Sequence, residues 1–513
     1  MSREADLNLC RDLVDRGHKG DLDQAYTIAK KYLSDNPEDT LFLVIMTAVM
    51  LNAHKPEIGY YLAEKCVQLA PEEPGTWLNY GMAANDLWFE EKALRYYKRG
   101  LKYARNDEQR SMFNVNIASV LIDTGRFAEA EPHCRAALDQ NPDSEKGRAN
   151  LGFCQLAQRH WKDGWANYRK CIGSEWRPVT QYTNEPLWEG QTGGKLILYQ
   201  EQGLGDIISF ASMLPDAVKD NEIVLDVEPR LAPLMQRSFP DIKVYGTYKQ
   251  KNARWSKKDA MADWSLPMGQ IGEFYRTNDE DFPGSPYLVA DPDRVLQWKA
   301  LFKTKKKPVI GIAWRGGIPK TGSKFRQWNL EQLLPIFKSV DAHWVSLQYK
   351  DAQKEIDEFT AKYPEIDLVQ YRHGTLTNDY DDTVALIAAL DHVVTMQTAV
   401  VHVAGALGIP AWVHVPMNSQ WRYGAEGEKM LWADSIRIIR QNVRGKWDDV
   451  IKQTAKELNA RYARSPEKSQ QKQKRKKQVR KGKGKVRRGQ KKANQGVSRL
   501  NGEQSRDSSR NVV

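Results

Sequence analysis

Cysteine is scarce in this chain. Five are scattered over 513 residues at Cys10, Cys66, Cys134, Cys154 and Cys171, odd in number and without a C-x-x-C pair. That spacing speaks against a disulfide framework or zinc ribbon and leaves reduced packing residues, as expected in a cytoplasmic protein. Long apolar runs are missing too, so no membrane-spanning helix is expected. The opening Met1-Ser2-Arg3-Glu4-Ala5-Asp6 is polar with no apolar stretch behind it, which argues against a secretory signal. A metal-binding D-x-D loop is also wanting. Asp291-Pro292-Asp293 has the spacing, but its proline suits a turn. Acids and aromatics fail together in one place. Residues 464–513 hold 18 Lys or Arg against Glu467, Glu503 and Asp507, and no aromatic residue.

That tail carries the basicity. The chain's 77 basic and 65 acidic side chains give +12 overall, yet 59 basic and 62 acidic ones lie outside the tail. The first 463 residues are therefore nearly neutral. The tail has too few apolar groups to order itself and reads as a disordered basic extension. Its charge suits non-specific, salt-sensitive contact with nucleic acid or an anionic membrane surface, which would make the protein peripheral to that membrane. Without aromatics it offers no base stacking.

Residues 1–172 repeat with a period of 34: Pro37 and Pro71 lie that far apart, as do Ala118 and Gly152. The clearest unit runs Trp77, Gly81, Ala93, Tyr97 and Gly100. Ala25 and Ala130 take the place of Ala93, each 12 residues before a closing proline. Those offsets resemble the tetratricopeptide (TPR) pattern, in which small and large residues interlock two antiparallel helices. The reading is four to five repeats stacked into an α-solenoid with a concave face for a protein partner; a generic helical bundle is the plainer alternative. A connector, 173–194, follows with Trp176, Pro178, Pro186, Trp188 and Gly190. Its aromatic content points to packing rather than a loose tether.

From 195 onward strands and helices alternate. Strands are expected at 195–200, 222–227 and 242–245, with helices at 206–218 and 230–238. After the Lys303–Lys307 charge run, strands are expected at 309–314, 342–348, 366–369, 392–396 and 411–416. Helices fall between them at 330–340, 351–363, 382–390 and 399–407, and 447–463 closes the series. Such alternation implies parallel sheets. Two series imply two Rossmann-like α/β halves, 195–302 and 303–463, facing a cleft.

Three stretches could carry chemistry. Gly203-Leu204-Gly205-Asp206 joins a strand to a helix, where Asp206 either caps the helix or stands at the strand's carboxyl edge as a general base. The turn is no dinucleotide fingerprint, since Ile208 sits at the third glycine position. Second, Arg315-Gly316-Gly317 opens a loop that also holds Lys320, Ser323, Lys324, Arg326 and Trp328. It reads either as a solvated basic loop or as a grip on a nucleotide diphosphate. Gly322-Ser323-Lys324 is not a P-loop, which needs Gly-Lys-Ser/Thr. Third, Gln397-Thr398-Ala399-Val400-Val401-His402 opens a helix that Gly408 and Pro410 end. Thr398 could cap it, its first N–H groups could hold a phosphate, and His402 is either a packed histidine or a ligand contact.

Together these stretches resemble the TPR-linked glycosyltransferases of the GT-B superfamily and are similar to family 9, the ADP-heptose:lipopolysaccharide heptosyltransferases. Residues 199–206 match that family's GLGD turn, Arg326-Gln327-Trp328 its Lys-x-Trp element, and 398–408 its Thr/Ser-x-x-x-His-x-x-x-x-Leu-Gly element. The likeness spans about 185–450. It implies a GT-B fold behind a TPR-type solenoid, and an inverting transferase that uses a nucleotide-sugar and no metal or other cofactor. Asp206 would deprotonate a glycan or protein acceptor, and Arg326, Thr398 and His402 would lie at the donor phosphates; the reading of the basic loop as a diphosphate grip adds Arg315 and Lys324 to that site. Gln397 stands where the family has an Asp that holds the donor sugar. The amide keeps hydrogen bonding but brings no charge. That departure leaves room for a second reading, a TPR scaffold with a degenerate transferase domain.

Overall fold

The computed structural model describes residues 2–174, 177, 179, 185–248, 255, 262–317 and 326–462. Lys320, Ser323, Lys324, Trp176, Pro178 and the tail from 463 lie outside the described residues.

Ten helices form five antiparallel pairs: α1 (Arg3–Arg16), α2 (Lys19–Asp35), α3 (Thr40–Asn52), α4 (Pro56–Leu69), α5 (Pro74–Asp86), α6 (Glu90–Leu101), α7 (Asp107–Asp123), α8 (Phe127–Gln140), α9 (Glu145–Ala157) and α10 (Trp161–Arg169). The small residues of the period are where backbones approach. A Cβ on Gly81 would lie 2.3 Å from the Tyr97 ring, and one on Gly100 would lie 2.4 Å from Phe113. Ala25, Ala93 and Ala130 are fully buried. The third unit lacks a closing proline and turns instead into α7, where the Asn106 side chain accepts from Gln109 N at 2.9 Å.

The second region holds two parallel sheets. The first has the order β3-β2-β1-β4, from β1 (Lys195–Tyr199), β2 (Glu222–Asp226), β3 (Lys243–Tyr245) and β4 (Trp264–Pro267). The second has the order β10-β9-β8-β5-β6-β7, from β5 (Val309–Ala313), β6 (His343–Ser346), β7 (Asp367–Val369), β8 (His392–Met396), β9 (Ala411–Val415) and β10 (Ile436–Arg440). Every pairing is parallel. Sequence order reverses between β5 and β8, which is where open α/β sheets leave a crevice at the strands' carboxyl ends.

The sequence pattern missed β4 and β10. Both are short edge strands, and β10 buries only part of its side chains, so neither gives a continuous apolar run. The single helix expected at 206–218 is two, α11 (Leu204–Phe210) and Leu214–Asp220, joined by a 3₁₀ turn. Pro215 lacks the N–H to continue the first helix and suits the start of the second. The 330–340 helix shortens to Leu334–Ser339, with Pro335 again in its first turn. Asp291 accepts from Asp293 N and Arg294 N at 3.0 and 3.1 Å, so the D-x-D spacing is a helix cap. In the connector, Trp188 is buried against Phe274, with ring centroids 4.4 Å apart, and its backbone N–H pairs with Ser265 O on β4 at 3.0 Å. All five cysteines are unpaired and buried. No described helix is long and apolar enough to cross a membrane.

Candidate functional site

The two glycine-bearing turns, almost 200 residues apart in sequence, are in contact. A Cβ on Gly205 would lie 3.1 Å from Ala399 Cα and 3.2 Å from His402 Cδ2. A Cβ on Gly316 would lie 2.4 Å from Thr398 Cγ2. Bulk at Gly205 would push the two halves apart, whereas bulk at Gly316 would displace Thr398 within the second half, so both glycines shape the cleft wall. Between the halves lies a cavity of about 860 Å³, lined by Gly205, Asp206, Arg315, Gly316, Arg326, Gln397, Thr398 and His402. Other walls come from the segments after β6 and β7, Leu347–Asp351 and Thr375–Asn378, and after β9, Gln420–Tyr423. Gly203 lies just behind the wall, in the turn that aims Asp206.

Asp206 does not occupy the cap position. It is the third residue of α11, and its Oδ2 reaches back to accept from Gly203 N at 3.1 Å. This fixes the carboxylate at the N-terminus of α11, where it satisfies a backbone donor. Its Oδ1 accepts from Arg422 Nη2.

The basic loop is a hairpin at its base. Trp328 N pairs with Trp314 O at 2.8 Å and Gly316 N with Arg326 O at 3.3 Å. Trp328 anchors it in the core against His414 and Trp447, with ring centroids 4.9 and 5.6 Å away. Arg326 is thereby buried at the cleft wall, donating to Gln397 O at 3.2 Å. Burial lowers its pKa from the ordinary arginine value, and the nearby Tyr423 and Asp206 pull it back up. Arg315 pairs with Glu355, so part of its charge is neutralised before any ligand arrives.

Thr398 holds the cap position of the helix Ala399–Ala406, but its hydroxyl makes no cap bond. The hydroxyl lies 3.2 Å from that of Thr395 instead. The expected side-chain cap is therefore absent and the first turn opens toward the cavity. His402 is both things it could have been: it lines the cavity and is packed, with Nε2 3.2 Å from the Tyr423 hydroxyl. Burial, reinforced by Arg422, pushes its pKa down to about 3. A neutral imidazole can hydrogen-bond a phosphate but cannot neutralise one. Gln397 is buried, and its Oε1 has no hydrogen-bond partner among the described residues.

Sequence reading missed Arg422 and Tyr423. They sit on a 3₁₀ turn, Trp421–Tyr423, with no glycine pattern or periodicity to flag them. The only signal was the tryptophan beside them. Among the described residues, no group of three or more His, Cys, Asp or Glu is placed to hold a metal ion.

No protein-family model matches the chain. It is similar to Protein FlbA of Caulobacter vibrioides, 29% identical over 401 residues, covering 74% of this chain and 65% of FlbA. The chain thus spans somewhat less than two thirds of that relative. Among solved structures it is similar to a thermophilic TPR protein of Thermus thermophilus, TTC0263, at 19% identity and a TM-score of 0.30, covering 34% of this chain and 92% of that one. It is also similar to PilF of Pseudomonas aeruginosa, at 15% identity and a TM-score of 0.31, covering 35% and 78%.

Proposed function

We propose that this chain is a glycosyltransferase, inverting and independent of metal, that moves a sugar from a nucleotide-activated donor to a glycan or protein acceptor brought in by the repeats. The reading rests on one observation. Asp206, Arg315, Arg326, Gln397, Thr398 and His402, chosen from three separate stretches, line one cleft at the carboxyl edges of two parallel sheets. Asp206 would take the proton of an acceptor hydroxyl as its oxygen attacks the anomeric carbon. The bond to the diphosphate would break with its electron pair on the leaving oxygen. Arg326, Arg315 and the open first turn of Ala399–Ala406 would stabilise that charge as a metal does elsewhere. His402, held neutral, would donate or accept a hydrogen bond there.

The test is transfer from a panel of nucleotide-sugars by the full chain and by Asp206→Asn. Loss of a general base should cut turnover by about 10²–10⁴ without loss of donor binding. A second reading, a repeat scaffold with a degenerate transferase domain, draws on Gln397 at the sugar position and on the Asp206 carboxylate already bonded to Arg422. Transfer absent with every donor would favour it, whereas transfer unaffected by Asp206→Asn would remove Asp206 as the base.

A further inference from the structure

Arg422 has almost no contact with solvent, its side chain being 3% exposed, yet it lines the cleft. Its Nη2 donates to Asp206, while Nε and Nη1 have no hydrogen-bond partner among the described residues. The guanidinium lies 5.3 Å from the Phe210 ring centroid and 5.4 Å from that of Trp421, so aromatic rings face much of it where acceptors would otherwise stand. A buried guanidinium with unfilled N–H groups is costly until an acceptor arrives. Asp206 is the mirror image: one oxygen is taken by Arg422 and the other by Gly203 N, so neither is idle.

Trp421 keeps Arg422 where it is. Its ring packs against Trp165 and Tyr168 of the last repeat, at 5.4 and 6.1 Å, and against Trp432 at 5.9 Å. Just beyond the turn, Ala425 N bonds to Ala157 O of α9 at 2.7 Å. The solenoid therefore fixes the backbone that carries this arginine.

Building on the reading of Asp206 as the base, we propose that Arg422 receives an oxyanion of the incoming substrate and in doing so releases Asp206. In this structure the two are paired. An oxyanion competes with the carboxylate for the guanidinium, the Arg422–Asp206 bond opens, and Asp206 becomes free to take the proton of an acceptor hydroxyl. The base is thus idle until the site is charged. A diphosphate on the donor and a carboxylate on a sugar both present the paired oxygens that a guanidinium grips with parallel N–H bonds.

The experiment is a double-mutant cycle by calorimetric titration of the full chain with inorganic pyrophosphate and, separately, with glucuronate. The proteins are wild type, Asp206→Asn, Arg422→Gln and the double variant, with Arg422→Lys as a variant that keeps charge without the fork. Asp206→Asn removes the competing carboxylate and should tighten binding of the anion Arg422 receives by about tenfold. Arg422→Gln should weaken that anion and abolish the gain, with Arg422→Lys between. Coupling to pyrophosphate names the diphosphate as the source; coupling to glucuronate names a sugar carboxylate. Unchanged affinity for both anions in Asp206→Asn, or a gain that survives without Arg422, overturns the proposal. Nucleoside diphosphate binding and its loss in Arg326→Ala report the donor site separately. Nucleotide binding with a flat cycle removes the Arg422 role alone, and a coupled cycle without nucleotide binding removes the transferase.

Discussion

Repeats one and two differ from repeats three to five in what they pack against. In the first two, the core of α1–α3, with Leu7, Cys10, Leu13, Ala25, Phe42 and Met50, is a cluster of its own, and α4 packs on α5 through Ala63, Val67 and Tyr80. The core of the last three runs from Ala84, Phe113 and Phe127 through Trp161 and Trp165 into Phe210, Met268 and Trp421 without a break. Polar contacts follow the same division. Arg444 pairs with Glu90 at 2.6 Å, Arg159 with Asp279 at 2.7 Å, and Trp165 Nε1 with Arg276 O at 2.8 Å. The turns between paired helices in repeats three, four and five all lean on the α/β halves. One solenoid is therefore built from a free end and a fused end that helps to hold the cleft.

Trp165→Ala strikes that division hardest. Emptying a fully buried indole at the shared core should cost about 3–5 kcal/mol. Repeats three to five should then melt together with the α/β region in urea unfolding; a loss confined to the repeats would contradict the fused core. Leu13→Ala should cost about 2–4 kcal/mol, but only locally. Hydrogen exchange should speed up in α1–α3, while calorimetric affinity at the cleft stays as in the wild type.

Acid should find the fused part first. Burial pushes His392, His402 and His414 down to about 3 from an ordinary 6.5. Their unfolded forms bind protons that the folded forms refuse. Stability is therefore full above about pH 6.5 and falls toward pH 3, by about 1.4 kcal/mol per pH unit for each histidine. Denaturant melts between pH 7 and pH 4.5 should show the slope, and His414→Gln, which gives up the 2.7 Å contact with Thr454, should reduce it. A flat profile would mean that these imidazoles are not buried neutral. The smallest effect belongs to the surface. Arg126→Ala removes exposed pairs with Glu91 and Glu129 and should shift stability by less than about 1 kcal/mol.

Much of this was legible beforehand, for reasons particular residues show. The repeats were readable because Gly81 and Gly100 admit no Cβ, which forces small residues at a fixed period. The cleft was readable because tight glycine turns after apolar strands are conspicuous, and Gly205 proves to be where the halves touch. That these turns face one cleft followed from each lying in its own βα series; their direct contact left no sequence signal. Arg422 was hidden for the opposite reason. Its turn is held by tertiary packing from Trp165, Tyr168 and Phe210, which lie far away in sequence and leave no local pattern. Pro215 misled through its context: apolar residues on both sides continue the helical pattern through a break.

A donor site in the cleft is tested most simply by calorimetric titration of the full chain with a panel of nucleoside diphosphates, repeated on Arg326→Ala. One nucleotide should bind in the micromolar range, and that binding should be lost when the buried guanidinium at the cleft wall is removed. Silence across the panel from well-folded protein, or binding that Arg326→Ala leaves untouched, would contradict a donor site in this cleft.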